Sequence, residues 1–137
     1  AYVAGALWNL AFKNEEGKVA IAAAGGIPPL VRLLGSESRE ARNNAAAALW
    51  NLAVNVKNQV EIGNAGAIPL LRAMLSEGTD EGKAHAAGAL GNLAASSDNL
   101  PVLLDAGVVA PLTALLLSGT AEARANAAGA LGNLAVS

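Results

Sequence analysis

Apolar and polar residues follow one another in this chain in two phrases that recur along its whole length. The first phrase is ALWNLA or ALGNLA, at 6–11, 48–53, 89–94 and 130–135. The second is AGGIPPLVRLL or a close variant, at 24–34, 65–75 and 106–116. A near-constant period of roughly 40 residues indicates stacked structural repeats, each burying its apolar face against a neighbour.

Each period predicts three helices. The first begins at a capping residue (Asn14, Asn55 or Ser96) and ends at a glycine suited to the left-handed conformation, Gly25, Gly66 or Gly107. The second is short, opens with a proline-containing turn (Pro28 and Pro29, Pro69, Pro111) and stops before Gly35, Gly78 or Gly119. The third is the longest and begins at Ser38, Thr79 or Thr120. Pro101 would delete a hydrogen bond inside its helix, so that helix is predicted to start near Asn99.

The repeats divide the chain into a single solenoid of 1–137, in which 1–13 form the third helix of a partial repeat. Complete repeats are predicted over 14–54, 55–95 and 96–137. Neither end shows the polar-faced repeat that caps a solenoid. We therefore interpret the sequence as an excerpt of a longer or engineered array, and expect end-to-end self-association through its uncapped ends.

Composition narrows the function. Apolar residues make up 53% and aromatic residues only 3%, which disfavours both disorder and a β-sandwich. The net charge is −2 with scattered basic residues, so no nucleic-acid partner is expected. The longest uncharged stretch, Ala106–Ala121, is too short for a membrane span, and the chain starts without a signal peptide. A cytoplasmic or nuclear location is the expectation.

Nothing in the chain predicts catalysis, a cofactor or a metal site. Cysteine is absent, which excludes a thiolate site and a disulfide. No glycine-rich phosphate loop follows a strand, because no strand pattern exists. His85 is the only histidine and lacks a serine–acid constellation.

The phrase A-G-A-I-P-x-L followed by A-x-x-A-L-x-N-L-A, repeated with this period, resembles the armadillo repeat over the whole chain. That family includes β-catenin, the importin-α nuclear import adaptors and the repeat domains of plant U-box ubiquitin ligases. The resemblance implies an all-α fold, a right-handed superhelix of three-helix repeats with a concave groove lined by the third helices. It also implies a function, the binding of an extended peptide or protein partner in that groove.

One face of each predicted third helix carries polar residues among alanines and leucines. At about 100° per residue, the residues that share this face form three sets: Asn9, Asn51, Asn92 and Asn133; Asn44, His85 and Asn126; Glu40, Glu81 and Glu122. An amide both donates and accepts, so asparagine can pair with a peptide backbone of any sequence. The resemblance implies this role, and packed helices about 8–10 Å apart would give each repeat two to three ligand residues.

Each candidate also has a structural interpretation. The asparagines can instead bond to a neighbouring repeat, and the glutamates can compensate helix dipoles rather than favour a basic partner. Trp8 and Trp50 can edge the groove or fill the seam between third helices. The paired glycines (Gly88 with Gly91, Gly129 with Gly132) can admit a ligand backbone or, as we favour, close helix packing.

Importin-α proteins usually carry tryptophan four residues before the asparagine. Here Gly5, Ala47, Gly88 and Gly129 hold those positions. We therefore do not expect recognition of a basic nuclear-import signal. The alternative to a peptide-binding scaffold is a structural spacer with no ligand of its own, although a spacer has no need of a repeated polar face.

Overall fold

The computed structural model describes residues 15–136, and this part of the chain contains nine α-helices, one 3₁₀ turn and no strand. We number the helices α1 to α9 in chain order. Their bounds are α1 Glu15–Ala23, α2 Ile27–Leu33, α3 Arg39–Leu52, α4 Val56–Asn64, α5 Ala67–Glu77, α6 Asp80–Leu93, α7 Leu100–Asp105, α8 Val109–Ser118 and α9 Ala121–Ala135. They form three successive groups of three, and the predicted all-α repeat architecture is confirmed.

The signals that predict the helix ends act as expected. The side chains of Ser38, Thr79 and Thr120 accept hydrogen bonds from the backbone N–H three residues on, at 3.1, 3.0 and 3.2 Å. Each satisfies one of the free donors at a helix N-terminus. The only described residues with positive φ are Gly25, Gly66 and Gly107, which join the first helix of each repeat to the second.

Pro101 shortens the first helix of the last repeat. A 3₁₀ turn covers Ser97–Asn99, and α7 begins at Leu100 with Pro101 in its first turn. Proline is tolerated there because the N–H it lacks would have no intrahelical partner. The predicted start near Asn99 is therefore confirmed.

The core is continuous through the three repeats. The leucines that flank the third-helix asparagines in α3 and α6 are fully buried, namely Leu49, Leu52, Leu90 and Leu93. Between them lie Ile62, Leu71, Leu103 and Leu112 from the first and second helices. The most extensive contacts join successive third helices, α3 with α6 and α6 with α9. Contacts between third helices therefore make the largest contribution to the packing of one repeat on the next.

Buried amides join α3 and α6 to the repeats that follow them, a contact that was not predicted from the sequence. Asn58 Nδ2 donates to the carbonyl oxygen of Leu52 at 3.0 Å, and Asn99 Nδ2 donates to that of Leu93, also at 3.0 Å. Asn99 reaches the carbonyl oxygen of Gln59 as well, at 3.0 Å. The backbone N–H groups of Asn55 and Ser96 also donate to the carbonyl oxygens of Leu52 and Leu93, at 3.2 Å each. Each amide therefore adds a second, buried hydrogen bond to a carbonyl group at the end of a third helix. The signal available in the sequence was the recurrence of asparagine at the same position of two consecutive repeats.

No single helix in residues 15–136 is long and apolar enough to cross a membrane. The segments Ser97–Asp105 and Val109–Ser118 reach the required length and hydropathy only together, and they meet at 81°.

We expect Asn99→Ala to lower the free energy of unfolding by about 2 kcal/mol, because it removes two buried hydrogen bonds. Urea denaturation measures this, with Asn64→Ala, an exposed asparagine in α4, as the matched control. Equal stability of the two variants would contradict the role assigned to the buried amide.

Candidate ligand-binding face of the third helices

The helices α3, α6 and α9 hold their polar residues in the same register. Each begins after its capping Ser38, Thr79 or Thr120, and the offset from that cap to the asparagine is the same in all three helices. The asparagines in question are Asn51, Asn92 and Asn133, and all three are half-buried. The face that carries them is called the third-helix face below.

Two of these asparagines bridge consecutive repeats. Asn92 Nδ2 donates to the backbone carbonyl oxygen of Trp50 at 2.8 Å, and Asn133 Nδ2 donates to that of Gly91 at 2.8 Å. In both cases the acceptor lies 42 residues earlier, in the preceding third helix. The backbone N–H groups of Val54 and Ala95, four residues after these acceptors, bond to Asn51 and Asn92 instead, so the amides supply donors to carbonyl groups at the ends of α3 and α6. The structural interpretation of the asparagines therefore holds for this pair.

A second row of polar side chains lies two turns earlier in α6 and α9, and it also bonds to the preceding third helix. Asn126 Nδ2 donates to the carbonyl oxygen of Ala84 at 2.9 Å, and His85 Nδ1 lies 3.2 Å from that of Asn43. Both acceptors again lie 42 residues earlier. Since a carbonyl oxygen can only accept, this contact is a hydrogen bond in the form of His85 that carries a proton on Nδ1. Asn44, at the matching position in α3, is half-buried.

Asn51 differs from the other two members of its row. Its Nδ2 donates to the carbonyl oxygen of Ala47, one turn earlier in its own helix, at 3.1 Å. The equivalent residue of the preceding repeat is Asn9, which lies outside the described residues, as does Trp8. Neither of these two site predictions has a structural description.

The acidic residues Glu40, Glu81 and Glu122 are exposed in the first turns of their helices. Glu81 Oε1 lies 4.0 Å from His85 Nε2. Both interpretations of these carboxylates, helix-dipole compensation and attraction of a basic partner, fit such positions. Residues 15–136 contain no group of three or more His, Asp or Glu side chains placed to share a metal ion.

Trp50 lies in the seam between α3 and α6. Its half-buried ring packs over Gly88, where a methyl group would lie 2.7 Å from Trp50 Cδ2 and Nε1. The ring centroids of Trp50 and His85 are 5.9 Å apart, with 39° between their planes. Trp50 therefore fills space between repeats, one of the two alternatives left open by the sequence.

The glycines of α6 and α9 fall into two kinds. Gly88 makes room for Trp50, so close packing accounts for this glycine. Gly91 is buried against α9, and a methyl group there would make an ordinary contact, 3.4 Å from Ala130 Cα. A methyl group on Gly129 or Gly132 would meet nothing within 4 Å. Beside Gly129 lies a cleft of about 150 Å³ lined by Trp50, Gly88, Gly91, Asn92, Ala125, Asn126, Gly129, Ala130 and Asn133.

Gly88→Ala and Gly129→Ala should have opposite effects, although both positions precede the asparagine by four. At Gly129 the methyl group has free space, so the gain in helix propensity should raise the free energy of unfolding by about 1 kcal/mol. At Gly88 it displaces the Trp50 ring, and overpacking should outweigh that gain by about 1 kcal/mol. Urea denaturation of both variants tests this, and a stabilised Gly88→Ala would show that Trp50 is not fixed in the seam.

Comparison with solved structures gives matches over nearly the whole chain. A computationally designed armadillo repeat protein for modular peptide recognition aligns with a TM-score of 0.92 and 32% identity, over 98% of this chain and 57% of that one. An engineered protein aligns with a TM-score of 0.91 and 35% identity, over 96% of this chain and 54% of that one. A designed armadillo repeat protein in complex with the peptide (KR)4 aligns with a TM-score of 0.86 and 29% identity, over 93% and 54%.

This chain therefore spans about half the length of the solved structures it matches, and these matches support the right-handed solenoid predicted above. Comparison with curated protein sequences gives no match. The family model described as the armadillo/β-catenin-like repeat matches three consecutive segments, 14–54, 55–95 and 96–136. Together these segments cover the described residues, and we conclude that the chain belongs to the armadillo repeat family.

Proposed function

We propose that this chain is a protein-interaction module that binds an extended peptide along the third-helix face. The observation that carries the proposal is the row of half-buried asparagine amides on successive third helices. Armadillo repeats are in general scaffolds that bind proteins or peptides. Binding rather than catalysis is the activity such a face supports.

Asn92 shows how one side chain can serve both the stack and a ligand. One of its two amide hydrogens is donated to Trp50. Its Oδ1 and its second hydrogen have no hydrogen-bond partner among residues 15–136. That oxygen can accept from a peptide N–H while the remaining hydrogen donates to a peptide carbonyl. The bond to Trp50 fixes the amide plane beforehand, which lowers the entropy cost of binding.

The charge on this face favours a basic or neutral peptide. Glu40, Glu81 and Glu122 are exposed along one edge of the third helices. One of the matched designed proteins was solved with the alternating Lys-Arg peptide (KR)4. Exposed charges are screened by salt, so the acidic residues should tune preference among ligands, and the amides should hold the backbone.

We expect Asn92→Ala to weaken every peptide that binds, by roughly 1 kcal/mol or about fivefold in Kd, whatever its sequence. Ligands would be selected from a random peptide library, and their Kd values measured by fluorescence anisotropy with synthetic peptides. Asn64→Ala, in a first helix away from the third-helix face, is the control.

Glu81→Gln should change the preference between basic and neutral peptides, and it should make the Kd of basic peptides depend less on salt concentration.

Two outcomes would overturn this proposal. The first is that no peptide is selected, which would leave the spacer interpretation. The second is that selected peptides bind Asn92→Ala and the parent protein equally well. Amide chemical-shift changes on titration would then show which other face the peptide occupies.

We also propose that the open end of the last described repeat binds a second copy of the chain. Ile68 and Leu75 are 0% and 3% exposed beneath the last repeat, whereas their counterparts one repeat later, Val109 and Leu116, are 43% and 36% exposed. The residues that bury one repeat against the next are thus uncovered at this end. A repeat of the same kind is the partner whose shape already fits such a face.

Leu116→Glu should abolish this association, because it places a charge in the stacking face. Leu117→Glu is the matched control: Leu117 is 85% exposed, and its counterpart Ser76 is exposed even inside the stack. Sedimentation velocity over a concentration series measures the result. A protein that stays monomeric throughout, or two variants that associate equally, would contradict the proposal.

A further inference from the structure

The space that Trp50 fills between α3 and α6 is open one repeat later, between α6 and α9. Gly91 stands at the position of Trp50, and Gly129 stands at the position of Gly88 on which the Trp50 ring packs. The cleft of about 150 Å³ described above lies between these two glycines. The chain therefore contains, in adjacent repeats, a filled and an unfilled version of the same seam.

The size of this cleft suits a single side chain. A cavity of about 150 Å³ holds one benzene-sized ring. Sites for complete small molecules are larger, from about 300 Å³ upward. The ligand group that enters here is therefore part of a longer chain, and the third-helix face is where the proposed peptide lies.

The cleft is lined by uncharged groups, which include the amides of Asn92, Asn126 and Asn133. Gly91 and Gly129 contribute backbone only, and Trp50 supplies an aromatic wall. Among the described residues that line the cleft none is charged, so an ammonium, guanidinium or carboxylate group would find no counter-charge there. Aromatic pairs gain from edge-to-face or offset contact beyond simple burial. In the preceding repeat, the group that occupies this seam is itself an indole.

We infer that the cleft between α6 and α9 is a specificity pocket that takes one aromatic side chain of the bound peptide. The inference rests on the proposed function for its ligand. It adds a side-chain preference at one ligand position, next to the residue whose backbone Asn92 holds. The pocket itself can be tested without any peptide.

The first test uses free indole as the probe. Titration at millimolar concentration should shift the NMR amide signals of Gly91 and Gly129 and the Trp50 indole signal, with a Kd on the order of millimolar. Gly129→Leu should abolish these shifts, because the leucine occupies the cleft. Gly132→Leu is the matched control: it lies in the same helix, also has nothing within 4 Å of an added methyl group, and does not line the cleft. The same titration with N-acetylarginine amide should give no shifts at these residues.

The second test uses the peptides selected for binding to the third-helix face. One ligand position should prefer Trp, Tyr or Phe over Ala by about tenfold in Kd. Gly129→Leu should reduce that preference to less than twofold, and Gly132→Leu should retain it. Both variants should still bind the alanine-substituted peptide, which shows that they are folded.

These tests separate the two proposals. If peptides bind and depend on Asn92 but show no aromatic preference, the pocket is wrong and the peptide-binding function stands. If indole binds at the cleft but no peptide is ever selected, the pocket stands as a site and the peptide-binding function is wrong. Indole shifts that persist in Gly129→Leu, or shifts given by the arginine probe instead of indole, would overturn the pocket.

Discussion

The close approach of successive third helices is the contact on which the rest of this structure depends. Alanine and glycine occupy most of the positions where α3, α6 and α9 meet, and a methyl group on Gly91 would already lie 3.4 Å from Ala130 Cα. Small residues allow backbones to come near each other. Only at that separation can a side chain as short as asparagine reach a carbonyl group of the neighbouring helix.

The repeated bond between residue i and the carbonyl group of residue i−42 follows from this approach. It fixes how far one third helix slides along the next, since a displacement of one residue would break every such bond. The first role of these side chains is thus to bond one repeat to the next. A ligand must use the hydrogen-bonding capacity that remains, which for Asn92 is one acceptor and one donor. Such a ligand would meet groups whose orientation is already set.

The repeats differ from one another in which side chains fill the seams of the third-helix face. Trp50 closes one seam, whereas Gly91 leaves the next seam open. In an array of nearly identical units, the positions that break the pattern are the ones that can distinguish one partner from another.

Because the repeats are similar, much of the fold could be predicted from the sequence alone. Ser38, Thr79 and Thr120 were identifiable as caps, and Gly25, Gly66 and Gly107 as left-handed residues, because each acts through backbone groups within three or four residues of itself. The leucine core followed from helical periodicity, and the resemblance carried the family. All these signals are local or repeated, so one chain displays them several times.

Contacts between repeats were decided only by the tertiary structure. The sequence left open whether Trp50 faces a ligand or the seam, and whether the asparagines bind a peptide or a neighbouring helix. Nor did it predict that Asn58 and Asn99 bond to the last carbonyl groups of α3 and α6. Each of these depends on the distance and register between helices that are far apart in the chain. Periodicity shows which face a residue shares, but only the packed stack fixes what lies opposite that face.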